Sequence, residues 1–340
     1  LDTKEITSTA NAAVKEAVRL RRKRHRHEHR LFLAEGEDLL AAALAGGHFP
    51  RQVFVLEGSV AGVVEALDHA VQAGAGSAGA GSGEHAPGAT GSGNLAPGAT
   101  GSDMVVYICS EPVMQKLSEL GSGSRVVSVF DFIDRQLDQY GGAEAGVAAG
   151  NAASGNAASR NAVAEITTTE RGEGATPTSG TGPLVYLAGV GDPGNAGAII
   201  RSAAALGASG IVFSPNAVDP YSSKCQRAAM GAAFRLPLFL DVTAGEIAGW
   251  ATGRGLPVVS SDPHQGMALW DEAVSEGRPL SGAFVLVLGS ERKGVPGELI
   301  AASRLRLRIP QLPEAESLNV AMAGTVILYE ALKQRGQVDI

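Results

Sequence analysis

PLVYLAGVGDPGNAGAIIRSAAALGASGIVF, residues 183–213, is the stretch whose reading decides the fold. Residues 184–190 are an unbroken apolar run, 196–206 are small and apolar at helical length, and 211–214 form a second apolar run. A strand that does not alternate between apolar and polar is buried on both faces. The unit is therefore strand, helix, strand, in a parallel sheet with helices on both sides. Outward from it, further strands are expected at 257–260, 283–288 and 305–309, and helices at 222–231, 296–302 and 318–333. Ligands of such sheets sit beyond the carboxyl ends of the strands. Three polar or glycine-rich loops occupy such ends: 191–195, 289–294 and 310–317.

The first loop, GDPGNAG at 191–197, follows a strand and opens a helix. It is not GxGxxG, and no GxxxxGK[ST] occurs, which disfavours a dinucleotide or nucleoside triphosphate. Asp192-Pro193-Gly194 is turn chemistry, and Asn195 is a candidate cap for the helix that follows. Arg201 interrupts an otherwise small and apolar helix, so its planar fork needs a phosphate, a carboxylate or water. The second loop sets Glu291 beside Arg292 and Lys293 at the mouth of a strand, AFVLVL, that reads as central. In the third, Glu316, Ser317 and Asn319 precede a long apolar helix, which Ser317 or Asn319 can cap and whose first amides suit a polar ligand. Lys224 and Arg227 share a helical face, with Arg235 beyond them; phosphate binding and a solvated face both fit that spacing. Cys225 lacks a histidine at helical spacing and reads as packing. His264 lies in a turn-rich loop with no GxSxG anywhere, against a hydrolase.

The first half alternates short strands (32–35, 53–56, 104–109, 126–130) with helices (11–24, 37–44, 60–71, 112–120), a small α/β domain. Two low-complexity stretches break the pattern. GSGEHAPGAT at 81–90 is followed by its near copy GSGNLAPGAT, inside an insertion over 73–103. NAAS recurs at 151–154 and 156–159 in an alanine- and glycine-rich stretch that reads as the linker. The expected organisation is a basic segment 1–30, a small α/β domain 31–133, a linker 134–182 and a parallel-sheet domain 183–340.

With 340 residues, 44% of them hydrophobic, the chain has material for two domains and sizeable cores. No run of 18 apolar residues suggests a membrane span, and the polar residues 1–10 lack the apolar run of a secretion signal; a cytoplasmic protein is the expectation. Two cysteines make neither a disulfide framework nor a structural zinc site. The net charge of −7 conceals a basic block: residues 1–30 carry nine Lys/Arg against four Asp/Glu. Arg21, Arg22, Lys23, Arg24 and Arg26 are the densest part and suit a phosphate backbone. His25, His27 and His29 alternate with them, but no metal is expected because no carboxylate or cysteine cluster completes a site.

Taken in order, DPGNAGAIIR at 192–201, RAAMGAAFRLP at 227–237, VLVLGSERKG at 285–294 and IPQLPEAESLNVAMA at 309–323 resemble the SpoU/TrmH family of RNA ribose methyltransferases, of the SPOUT class. The first 130 residues resemble, more loosely, the ribosomal-protein-like RNA-binding domain that precedes the catalytic domain in many members. The resemblance implies an α/β fold with a deep trefoil knot in the C-terminal parallel-sheet domain. It implies a homodimer whose active sites draw on both subunits, and S-adenosylmethionine held by Leu288, Gly289, Ile309, Leu318 and Asn319. It matches the family's motif residues to Asn195, Arg201, Glu291, Ser317 and Asn319. Asn195 and Glu291 would orient, Ser317 and Asn319 would position the loop, the ribose or the cofactor, and Arg201 would act as general base or as electrostatic clamp. Where members often have glycine after the motif-two glutamate, this chain has Arg292. The implied reaction is methyl transfer to a ribose 2′-hydroxyl, in 23S ribosomal RNA first and transfer RNA second. Antibiotic resistance is one role for the product. A catalytically inactive RNA-binding protein is the reading from another class.

Overall fold

The computed structural model describes residues 2–77, 104–120, 123–140, 182–312, 314–315 and 317–336. Its chain divides into two compact units, Leu1–Ile133 with Asp219–Arg235, and Asp134–Val218 with Leu236–Ile340. Most of the expected linker, and all of the 73–103 insertion beyond residue 77, lie outside the described residues.

In the first unit the elements run β1 (Asp2–Ile6), α1 (Ala12–Arg19), α2 (Lys23–His29), β2 (Leu31–Glu35), α3 (Glu37–Ala45), β3 (Gln52–Leu56), α4 (Val60–Ser77), β4 (Val105–Cys109), α5 (Glu111–Leu117) and β5 (Val126–Asp131). They form a mixed five-stranded sheet in the order β1-β4-β3-β5-β2. Central β3 and β5 are apolar, and Phe54, Val127 and Val129 join Val14, Val113 and Met114 of the helices in one core. Three differences from the sequence reading have local causes. β1 is polar, buries only Ile6, and exists because its backbone pairs with β4 at the sheet edge. α4 continues through 73–77, past the expected start of the insertion. The expected helix over 11–24 is two helices, because Arg22 is extended. The carbonyls of Leu20 and Arg21, freed at that break, accept from the buried Arg26 guanidinium at 2.9 and 2.7 Å.

The second unit begins with β6 (Leu184–Ala188), α6 (Pro193–Ala205) and β7 (Gly210–Phe213); the chain then contributes α7 (Ser223–Ala229) to the first unit. It resumes with β8 (Leu238–Phe239), α8 (Ala244–Gly253), β9 (Val258–Ser261), β10 (Met267–Ala268), α9 (Glu272–Ser275), β11 (Val285–Gly289), α10 (Gly297–Ala302), β12 (Ser303–Arg308) and α11 (Val320–Gln334). The sheet order is β10-β12-β9-β11-β6-β7-β8, and every pairing in it is parallel. This is the expected α/β architecture: a small α/β domain, then an all-parallel sheet typical of the knotted SPOUT fold. β6 is buried at all five residues, as its unbroken apolar run requires. Tyr186, Val285 and Val287 pack with Ile247 of α8 and Leu299 of α10, while Leu288 meets α11 at Gly324. Residues 137–140, expected in the linker, pack here: Tyr140 stacks edge-on against Phe239 and Trp250. Among the described residues no helix is long and apolar enough to cross a membrane.

β6 and β11 are neighbours, yet after β6 the chain moves away through β7 and β8, and β9 and β12 lie on the other side. That reversal is a topological switch point, where the carboxyl ends of parallel strands open a crevice.

Candidate functional site

Each of the three loops is shaped by its own sequence. Asp192, not Asn195, caps α6: its Oδ1 accepts from the Asn195 amide at 2.8 Å, with Pro193 in the first turn. Asn195 is therefore inside the helix with its side chain free for another task. Gly289 ends β11 where the next turn folds back on it, with Ser290 bridged to Gly294. A Cβ on Gly289 would stand 2.3 Å from the Gly294 carbonyl carbon, so only glycine fits. Asn319 caps α11, its Oδ1 accepting from the amides of Ala321 (2.9 Å) and Met322 (3.4 Å).

The parallel sheet brings these loops together. Asn195 Nδ2 donates to Glu291 Oε1 at 2.5 Å, and Asn319 Nδ2 donates to Asn195 Oδ1 at 2.9 Å. A carboxylate only accepts, so both amide orientations are dictated by Glu291. The result is a relay from an acid on one loop, through an amide on the second, to a helix N-terminus on the third. Beneath it Ser202 of α6 meets Thr325 of α11 at 2.7 Å.

Arg201 and Ser317 do not join the relay. Arg201 is exposed and makes no hydrogen bond or ion pair with the described residues. Six residues beyond Asn195 on α6, it stands about 9 Å along the axis and about 120° around it. Ser317 is exposed in the loop and does not cap α11. Leu288 is fully buried at the end of β11, Ile309 is half-buried after β12, and Leu318 is exposed before α11.

The basic residues singled out as phosphate contacts, Arg21, Arg22, Lys23, Arg24, Arg26, Lys224, Arg227 and Arg235, all lie in the first unit. Arg22, Lys23 and Arg24 are exposed, without ion pairs among the described residues, and Arg235 is likewise exposed. Lys224 is exposed and already has an interaction within the chain. Arg21 donates to the carbonyls of Lys116 and Ser118, and Arg227 faces Glu35 at 3.7 Å and Glu119 at 4.0 Å. Arg26 departs from the expectation of a phosphate contact. It is 4% exposed, and Nε and Nη2 both donate to Asp219 Oδ2, at 3.0 and 2.6 Å. Its charge is neutralised inside the unit. Glu28 does join His25 and His29, with ligand atoms within 4.8 Å of one another, which the sequence reading missed. A helical i, i+3, i+4 spacing produces this grouping on an exposed face, and Lys23, Arg24 and Arg30 around it oppose a cation.

Sequence reasoning also missed the support under the first loop. Gly189, at φ +73°, donates to Ser214 Oγ at 2.8 Å, and Ser214 Oγ donates to Asn216 Oδ1 at 2.7 Å. Only a glycine in the left-handed region, visible as the Ala-Gly-Val step after the strand, hinted at it.

A model of the SpoU rRNA Methylase family matches residues 182–329, and a model of the MRM3-like substrate binding domain matches residues 11–80. The chain is 36% identical over 148 residues to a 23S rRNA (uridine(2479)-2'-O)-methyltransferase of Streptomyces viridochromogenes, covering 42% of this chain and 50% of that protein. It is 31% identical over 152 residues to a 23S rRNA (guanosine(2553)-2'-O)-methyltransferase of Bacillus subtilis, covering 43% and 56%. The chain thus spans about half the length of the curated relatives it matches. The structure of an AdoMet-bound rRNA methyltransferase from Sinorhizobium meliloti superposes with a TM-score of 0.68 at 26% identity, over 99% of both chains.

Proposed function

The chain belongs to the SpoU/TrmH family of SPOUT-class RNA methyltransferases, and from that premise we propose that it transfers a methyl group from S-adenosylmethionine to a ribose 2′-hydroxyl of 23S ribosomal RNA. The observation that carries this reading is the Glu291–Asn195–Asn319 relay at the switch point of the sheet. The names of the Streptomyces and Bacillus relatives support the ribosomal substrate.

The residues present fit the cofactor. Half-buried Ile309 and exposed Leu318 offer apolar area to a purine ring, and the strand-end backbone of Leu288 and Gly289 offers hydrogen bonds. When bound, S-adenosylmethionine supplies a methyl carbon on a positively charged sulfur, already activated for displacement. What remains for the protein is to align the hydroxyl and ease the departure of its proton. Asn195, fixed at both ends of its amide, is a rigid orienting group. Glu291 holds that amide, and Asn319 couples it to α11.

Arg201 stands apart from the relay of its own chain, so we assign it to the site of the partner in a homodimer. Met322, Val326 and Tyr329 form an exposed apolar stripe on α11, at i, i+4 and i+7, which supports such an interface. Arginine side chains retain their proton, so its role is electrostatic: a fixed cation that stabilises the oxygen as it loses hydrogen. The exposed Arg22, Lys23, Arg24 and Arg235 hold the RNA backbone.

The test is transfer of labelled methyl from S-adenosylmethionine to total RNA, followed by mapping of the labelled nucleotide. Label on one ribose of 23S RNA is expected; label on a base, on transfer RNA alone, or on no RNA overturns the proposal. Mixing inactive Arg201→Ala with inactive Asn195→Ala protein should restore activity through mixed dimers. No recovery would place Arg201 in its own chain's site.

A further inference from the structure

A second concavity adjoins the relay. The carboxyl ends of β6, β7 and β11 frame a cavity of about 360 Å³ whose walls include Tyr186, Ser214, Asn216, Thr243, Ser290 and Lys293. None of Leu288, Gly289, Ile309, Leu318 and Asn319, the residues suited to the cofactor, lines it. The turn 290–294 is shared: Ser290, Lys293 and Gly294 face the cavity, and Glu291 between them holds Asn195. A reaction between two substrates needs two adjoining sites, and this turn divides them. A larger concavity in the first unit, about 710 Å³, lies between α3 and α4, lined mostly by small and apolar residues with Glu65 and His69, and carries none of the candidate site residues.

We propose that the cavity receives the base of the nucleotide being methylated. This rests on the reading of the chain as an RNA ribose methyltransferase. The volume is at the lower end of the range for small-molecule sites, roughly 300–1,000 Å³, which suits one nucleobase. The lining contains donors and an aromatic ring but no carboxylate. Ser214, buried, directs its hydroxyl to Asn216 Oδ1, which leaves the Asn216 amide N–H groups without an acceptor among the described residues. They form a fixed donor pair for the acceptor edge of a base. Tyr186 is 1% exposed and its hydroxyl donates to the Val242 carbonyl at 3.0 Å, so it closes the floor of the cavity without a free polar group. The Lys293 ammonium has no ion pair among the described residues and is exposed at the mouth, where a flanking phosphate would pass. Of the nearby carboxylates, Glu246 is held by the Thr243 amide and hydroxyl, each at 2.7 Å, and Glu298 lies outside the lining. Proteins that read single-stranded RNA splay bases out and hydrogen-bond their edges, and the Asn216 donors serve that edge here. The base thereby anchors the ribose whose 2′-hydroxyl meets the relay, and Asn216 becomes a specificity residue.

The test uses the full chain, total RNA, S-adenosylmethionine and, as a free probe, the nucleoside 5′-monophosphate of the mapped base. Ala244→Phe fills the cavity, Asn216→Ala removes the donor pair, and Lys293→Ala removes the cation. Ala244→Phe should lower kcat/KM for RNA at least 100-fold and abolish binding of the monophosphate. Its affinity for S-adenosylmethionine, by calorimetry, should stay within about twofold. Asn216→Ala should lose about tenfold and weaken discrimination among RNAs that differ at the target base. Asn216 and Lys293 are exposed, so their variants decide the question if Ala244→Phe fails to fold. Loss of S-adenosylmethionine binding in step with activity would show that the cavity holds the cofactor and overturn the proposal. Wild-type kinetics and base preference in Asn216→Ala and Lys293→Ala would overturn it as well. A wild-type chain that methylates no RNA refutes the functional reading, whereas monophosphate binding abolished by Ala244→Phe would still identify the cavity.

Discussion

Asn319 donates through Nδ2 to Oδ1 of Asn195 at 2.9 Å, across 124 residues of sequence, while its own Oδ1 caps α11. One side chain thus closes a helix and fixes the amide that faces Glu291. The two tasks use different atoms, so they can be separated by substitution.

Asn319→Asp keeps an oxygen for the cap but replaces the donor with a second acceptor. Thermal stability should change little, since Asp and Asn cap comparably. Methyl transfer should fall at least tenfold, because the Asn195 amide loses its partner. Asn319→Ala should lose both, with about 1 kcal/mol of stability from the cap. Melting curves beside single-turnover methylation check this; equal loss of activity and stability in Asn319→Asp would refute it.

Asn195→Ala should abolish most activity, on the order of 100-fold, with a stability cost of about 1 kcal/mol or less, because Asp192 and not Asn195 caps α6. Asn195→Asp should be as inactive, since it sets a second carboxylate against Glu291. Single-turnover methylation reads the loss of activity, and denaturant unfolding of the same variants reads the stability cost.

Gly289→Ala should behave differently. Its methyl group would press on the Gly294 carbonyl carbon and on the Val295 nitrogen 2.5 Å away, so backbone must move. A cost of about 1–3 kcal/mol is expected, together with loss of S-adenosylmethionine binding. Calorimetry of cofactor binding reads the outcome.

In the first unit, buried and exposed arginines should separate. Arg26→Ala leaves Asp219 charged and buried, at a cost of about 3–5 kcal/mol. Arg22→Ala, Lys23→Ala and Arg24→Ala should leave stability unchanged. Each that touches a phosphate should lower the slope of log affinity against log salt by about 0.7–0.9. Filter binding across a salt series, beside melting curves, tests the division.

Burial also sets an alkaline limit. It raises the Tyr186 hydroxyl from 10.0 to about 12 and the Cys109 thiol from 9.0 to about 11. The folded protein holds these protons after the unfolded chain has released them. Their contribution to stability is whole below pH 9 and lost progressively across pH 9–12. Tyr186→Phe should flatten that decline between pH 10 and 12, measured by denaturant midpoints.

Some features were legible because they are local. The unbroken apolar strand at β6, the proline and aspartate opening α6, and the asparagine before α11 each state their structure within a few residues. Others were not, because their cause lies far away in the chain. Nothing in the polar sequence Asp2–Ile6 marks a strand; β4 makes it one. Nothing in the basic block separates Arg26 from its neighbours; Asp219 does, from 193 residues away. The helical run at 11–24 breaks because that same guanidinium accommodates the carbonyls the break exposes.

By itself, then, the order of residues determined the parallel sheet, the helix ends and the identity of three chemically equipped loops, since periodicity and capping act over one or two turns. Which loops meet, which arginines face water, and that Asp219–Arg235 joins the first unit were decided only by tertiary structure. Strand order and burial are properties of the whole packed chain: they set Asn195 beside Glu291 and Asn319, and no short-range preference encodes that choice.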